Sequence, residues 1–281
     1  MALSPEQPAL PAAEAWHPAL WRASQLGHRA QAALPTGFAP LDAQLPGGGW
    51  PRRALAELLL PHAGVGEMRL LAPVLAALTR SGQRVLWVDP PAAPCAPALE
   101  QLGLDVRRLV VVHGRDGAHG GGGLHGSSSP RGRDGAREVH GVRVRRLPGA
   151  ADVLWALEQA LASGELGAVL AWLPEPLRAD ALRRLQLAAQ AHDGPVFVFR
   201  EPDARLRPSA APLRLALRAA GPDALWVHVL KRRGPVLEQP IRLELPPVLP
   251  PSARRRAEAA AGRAPAAAAS EPAVPVARHA A

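Results

Sequence analysis

Residues 34–80 read LPTGFAPLDAQLPGGGWPRRALAELLLPHAGVGEMRLLAPVLAALTR, and this stretch decides the fold. Residues 54–60 (ALAELLL) form a short apolar run of the kind that becomes a buried strand. A brief turn ending Gly64-Val65-Gly66 follows. Met68, Leu71, Leu75 and Leu78 then recur at helical spacing over residues 67–80, and Gly82 stops the helix. Residues 84–89 (RVLWVD) come next as a second strand, closed by Pro90-Pro91. A strand, a helix and a strand in so short a span form a crossover unit, which places the two strands parallel.

Working outward, the alternation continues. Residues 96–102 read as a short helix and 109–112 (LVVV) as a strand. Residues 151–162 place Val153, Leu154, Leu157 and Leu161 on one helical face, and 168–173 (AVLAWL) is a strand. A helix over 177–191, with Leu182, Leu185 and Ala189 inward, leads to the strand 195–199 (PVFVF). The expected class is therefore α/β, a mostly parallel twisted sheet with helices on both faces. After about residue 212 the helices stop. Residues 213–218, 224–231 and 236–245 are strand-like, Leu225, Val227 and Val229 alternate with Trp226, His228 and Leu230, and Arg233-Gly234-Pro235 suits a hairpin turn. An antiparallel C-terminal extension on one sheet edge is expected.

Composition bounds the rest. Apolar residues make up 48% of the 281, enough for a sizeable core. The longest apolar runs fall far short of the roughly 18 residues that a membrane span needs, and the N-terminus lacks the basic-then-apolar pattern of a signal peptide. A single cysteine, Cys95, excludes a disulfide framework and a multi-cysteine zinc site; it reads as a buried or inert thiol. His113, His119, His125 and His140 lack the spacing of zinc ligands, so no metal is expected. These features imply a soluble cytoplasmic protein with no membrane contact. Of the net charge of +9, seven units reside in residues 113–146 and 246–281, leaving a nearly neutral body with basic attachments. Residues 1–15 are Pro/Ala-rich and read as disordered, and 16–35 as an N-terminal helical segment. Residues 36–245 form the core, interrupted by a low-complexity insertion at 113–146 that reads as a long loop, and 246–281 are a disordered Ala/Pro/Arg tail.

The order Thr36-Gly37, Leu41-Asp42, Gly47-Gly48-Gly49, Pro51, strand, loop, helix resembles the RecA/RadA superfamily, where such a segment precedes the strand that runs into the phosphate loop. The resemblance implies a RecA-like core and places residues 61–68 (PHAGVGEM) at that loop. A working loop reads G-x-x-x-x-G-K-[ST], with lysine on the β/γ oxygens and a hydroxyl on magnesium. Here Gly64 and Gly66 are followed by Glu67 and Met68, and Pro61 stands at the first glycine. A carboxylate beside a triphosphate costs on the order of 1–4 kcal/mol where an ammonium would gain as much. The chain's single lysine, Lys231, lies far along the sequence. At the position the resemblance assigns to a magnesium-ordering aspartate stands Trp172, and the water-activating glutamate expected after residues 84–89 is replaced by Pro90-Pro91. With three roles lost, the expectation is a pseudo-ATPase with no catalytic residue and no cofactor. Glu67 is also well placed to cap the following helix.

Residues 21–26 (WRASQL), 167–174 (GAVLAWLP), 182–190 (LRRLQLAAQ) and 230–234 (LKRRG) narrow the resemblance to the ImuA family, RecA-like accessory proteins related to SulA-type division inhibitors. It implies a non-catalytic adaptor in DNA-damage-inducible (SOS) translesion synthesis and mutagenesis. Its partners would be ImuB, a catalytically inactive Y-family polymerase homologue, and an error-prone DNA polymerase subunit, with RecA or a second copy as further candidates. A SulA-like cell-division inhibitor, an active recombinase and a basic-flanked DNA-binding protein are the competing readings. Candidate contacts to DNA or a partner are Lys231, Arg232 and Arg233, three adjacent cations before a turn. Arg183 and Arg184 on a helix, and Trp21 in the amphipathic segment, complete the set. Trp50, Trp87, Trp155 and Trp172 read as core aromatics.

Overall fold

The computed structural model describes residues 33–114, 137–139, 141–146, 150–173 and 177–247, together with 252, 255 and 256. Residues 1–15, most of 16–35 including Trp21, and nearly all of the tail lie outside the described residues.

Ten strands form one sheet: β1 (Leu55–Leu59), β2 (Arg84–Val88), β3 (Leu109–His113), β4 (Arg137–Val139), β5 (Val142–Arg146), β6 (Leu166–Trp172), β7 (Val196–Arg200), β8 (Leu213–Gly221), β9 (Ala224–Lys231) and β10 (Ile241–Glu244). Their order is β10-β9-β8-β1-β7-β6-β2-β3-β5-β4. From β8 to β5 every neighbouring pair is parallel; β9, β10 and β4 are antiparallel to theirs. Five α-helices are described, α1 (Ala39–Asp42), α2 (Glu67–Arg80), α3 (Ala96–Gln101), α4 (Ala150–Ala162) and α5 (Ala179–Ala191), with two short 3-10 helices at Val106–Arg108 and Pro202–Leu206. One core layer packs α2 and α3 on the sheet through Leu71, Leu75 and Leu99; the other packs α4 and α5 through Val153, Leu157, Leu161 and Leu185. The strands of the centre are buried on both faces, so they read as continuous apolar runs.

The α/β class and the antiparallel C-terminal edge agree with the sequence reading. The insertion does not. Part of residues 113–146 belongs to the sheet: β5 pairs with β3 in parallel, β4 returns against β5, and Val142 is buried. The stretch Val142-Arg143-Val144-Arg145 does alternate as a strand does, but its Gly/Arg-rich setting masks the period. The third C-terminal strand is also shorter than expected, since residues 236–240 lie outside β10. Trp155 is 62% exposed on α4, not in the core, and Cys95 is exposed. Helix spacing put Trp155 among apolar neighbours, but the layer buries Val153 and Leu157 instead.

The Thr36–Asp42 motif has a local physical role. Thr36 N–H donates to Asp42 Oδ1 at 2.8 Å, and Phe38 N–H to Thr36 Oγ1 at 3.1 Å, which closes the turn before α1. Gly37 has φ +86°, and a Cβ there would lie 2.5 Å from Pro73 Cβ of α2, so only glycine fits. The Gly-rich turn folds back to pair Trp50 with Leu34.

Candidate functional site

In an open parallel sheet, ligands bind at the carboxyl ends of the strands. Here the loops after β1, β2, β6 and β7 share that edge. Strand β7 alone separates β1 from β6, so their ends lie about 10 Å apart.

The loop after β1 leaves Pro61, His62, Ala63 and Gly64 exposed and turns inward at Val65. Gly64 and Gly66 take φ of +83° and +124°. These conformations aim their amides at one point, as in an anion-binding nest. The point is occupied from within. Gly64 N–H donates to Glu67 Oε1 at 2.7 Å and Gly66 N–H to Glu67 Oε2 at 3.0 Å, and the Glu67 side chain is buried. Each carboxylate oxygen thus takes one backbone donor at the N-terminus of α2, where negative charge is favoured. Met68 is half-buried against the core.

The C-terminal edge strands close on the same loop. A Cβ at Gly66 would lie 2.9 Å from Leu245 Cδ1 and 3.5 Å from Leu225 Cδ1. Arg69, one turn into α2, donates to Asp223 Oδ1 at 2.9 Å and to the Pro222 carbonyl at 2.8 Å, tying the β8–β9 turn to the helix.

Where β6 ends, Trp172 stacks on Phe199 with centroids 4.4 Å apart and planes at 23°, and its ring lies 5.6 Å from that of Trp87. An aromatic stack therefore stands at the end of β6. Asp89, after β2, has φ +49°, accepts from Gly114 N–H at 2.6 Å and has His113 Nδ1 4.0 Å away. It ties the ends of β2 and β3 together.

The structure disperses the basic candidates. Lys231 Nζ donates to the Ser209 carbonyl at 2.9 Å. Arg232 donates to the Pro235 carbonyl at 2.8 Å and to the Gln44 carbonyl, so it clamps the start of the fold to the β9–β10 connection. Arg233 is exposed. Arg184 pairs with Glu158 of α4 at 2.9 Å, while neighbouring Arg183 is exposed.

Sequence reasoning missed two buried clusters. Glu57, in the middle of β1 and fully buried, takes Arg200 of β7 at 2.7 Å and Arg214 of β8 at 2.6 Å. Arg214 also donates to the Ala204 carbonyl at 2.7 Å. The available signal was a charge set in each of three apolar runs, Glu57 inside β1, Arg200 closing β7 and Arg214 near the start of β8, since buried charges occur paired. At the opposite edge His192, after α5, is completely buried, and burial holds its imidazole below the usual histidine range, against the pull of the Asp193 charge and with a smaller push from Arg52.

These features define a mostly parallel α/β protein in which the turn after β1 holds the carboxylate of Glu67. No protein-family model and no curated protein matches the chain. Among the described residues, no helix is long and apolar enough to cross a membrane.

Proposed function

We propose that this chain is a non-catalytic adaptor built on a RecA-like core, acting in DNA-damage-inducible translesion synthesis beside an ImuB-like inactive polymerase and an error-prone polymerase subunit. The observation that carries the non-catalytic part is the Glu67 carboxylate seated on the Gly64 and Gly66 amides. A phosphate entering that turn would have to displace a buried, doubly bonded carboxylate with no lysine nearby to compensate. Two features support the RecA-like reading. A single strand lies between β1 and β6, which brings the turn and the end of β6 within reach of one nucleotide. The Thr36–Asp42 motif packs on the helix that follows the turn. The partners come from the ImuA resemblance. A fold that keeps its scaffold while filling its nucleotide edge is selected for its surface.

Two measurements test the proposal. Calorimetric titration with Mg-ATP should show no binding; a dissociation constant tighter than about 1 mM, roughly −4 kcal/mol, overturns the non-catalytic assignment. Co-purification with the polymerase-cassette proteins, with and without single-stranded DNA, should recover the ImuB-like protein, and its failure under both conditions overturns the adaptor assignment.

A further inference from the structure

Among the described residues, no α-helix packs on one face of β9 and β10. On β9, Leu225, Val227 and Val229 are buried in the α2 layer, while Trp226 and His228 are half-buried and Leu230 is 43% exposed on the other side. No residue of β9 or β10 joins the core beneath α4 and α5. Register aligns Arg218 of β8, Trp226 of β9 and Arg242 of β10 in one cross-strand row. Both arginines are exposed, and the row spans about 10 Å. Toward the start of β8 and the end of β9 lies the crossover from β7 to β8, held down by Arg214 and Lys231 through the Ala204 and Ser209 carbonyls. That crossover presents Leu206, 77% exposed, between exposed Arg205 and Arg207.

We infer that this face docks a protein segment that carries apolar side chains flanked by carboxylates. The inference deepens the adaptor reading and rests on it. Tryptophan and arginine are the residues that most often anchor protein interfaces, and here a tryptophan sits between two arginines, with exposed Leu230 four residues further along the same strand face. Apolar groups of the partner cover Trp226, Leu230 and Leu206; its carboxylates meet Arg218, Arg242 and Arg205. Two observations favour a protein over a nucleic acid. Glu201, Asp203 and Glu244 are interspersed with the arginines, and Glu244 pairs with Arg242. A continuous polyphosphate would meet these carboxylates, whereas discrete charges on a peptide can match a rim of mixed sign. Leu206 and Leu230, the exposed apolar groups, offer no ring for a base to stack on, and Trp226 is half-buried within the row.

The test uses the full chain and a fluorescein-labelled 14-residue peptide of alternating leucine and glutamate, followed by anisotropy. Arg218→Ala with Arg242→Ala should weaken binding at least tenfold, and Leu230→Asn should weaken it severalfold. Arg84→Ala with Arg143→Ala, the same charge change on exposed residues of β2 and β5, should leave it unchanged. A bound peptide should shift tryptophan emission in the wild type and not in Trp226→Phe. Equal affinity across all variants, or equal loss in the control pair, overturns the assignment. So does a 20-nucleotide oligothymidylate that displaces the peptide from the wild type and loses affinity in the Arg218/Arg242 variant, which assigns the face to nucleic acid. Recovery of the ImuB-like protein by that variant at wild-type yield refutes the docking face and leaves the adaptor reading standing; peptide binding at this face without recovery of any cassette protein does the reverse.

Discussion

Glu67 makes the turn after β1 self-sufficient. Its carboxylate accepts from both the Gly64 and the Gly66 amide and so satisfies the donors that the turn presents. Glu67→Ala should leave two amides without their acceptor and cost about 1–3 kcal/mol, read from the urea midpoint. On the proposed RecA-like reading, Glu67→Lys should not confer nucleotide binding by itself, because Met68 and Trp172 stand where that reading expects a hydroxyl and an aspartate; a calorimetric signal with Mg-ATP in that variant would show that the carboxylate alone excludes the ligand. His192 gives a pH signature. Its unfolded imidazole titrates near about 6.5, and burial lowers the folded value. Between the two values the unfolded chain binds more protons, so stability falls as the pH drops below about 6.5 toward the folded value and levels off beneath it. Melting temperatures at pH 7.5 and 5.5 should differ less in His192→Leu than in the wild type.

At the scale of elements, β5 is the clearest departure from the sequence reading. Because β5 pairs within the sheet, Val142→Asp buries an unpaired carboxylate and should destabilise the fold by several kcal/mol, while Arg143→Ala should stay within about 0.5 kcal/mol. Equal tolerance of the two changes in urea melts would return residues 142–146 to a loop. The turn before α1 makes a similar point. Gly37→Ala meets both a positive φ and Pro73, so it should cost more than the gain of up to about 1 kcal/mol that Gly→Ala brings at permissive sites. The elements that periodicity located best, α2 and β2, are those whose apolar side chains and stop signals lie within a few residues. Trp155 shows the limit of that method, because a helix wheel marks an apolar side chain without saying which flank the sheet will cover.

For the whole molecule, the Glu57–Arg200–Arg214 cluster joins β7, β1 and β8 at the middle of the sheet. Removing Glu57 alone leaves two buried guanidinium groups facing each other. Glu57→Ala should therefore cost about 3–5 kcal/mol, whereas replacing all three by leucine and methionine should recover most of that loss. Denaturant unfolding of both variants checks it; a triple variant no more stable than the single one would show that the charges are needed for the fold.

The amino-acid order alone gave the alternation of strands and helices outside residues 137–146 and the antiparallel C-terminal edge. Each of these is written in neighbouring residues. Where the charges go was decided only in three dimensions. Glu57, Arg200 and Arg214 are up to 157 positions apart and meet because β7 and β8 flank β1. Arg218, Trp226 and Arg242 share a row because two antiparallel pairings align them. Lys231 and Arg232, adjacent and basic in sequence, are spent on backbone carbonyls. Local order sets which backbone conformation a segment takes, but a charge finds its partner only when strand pairing fixes what stands beside it.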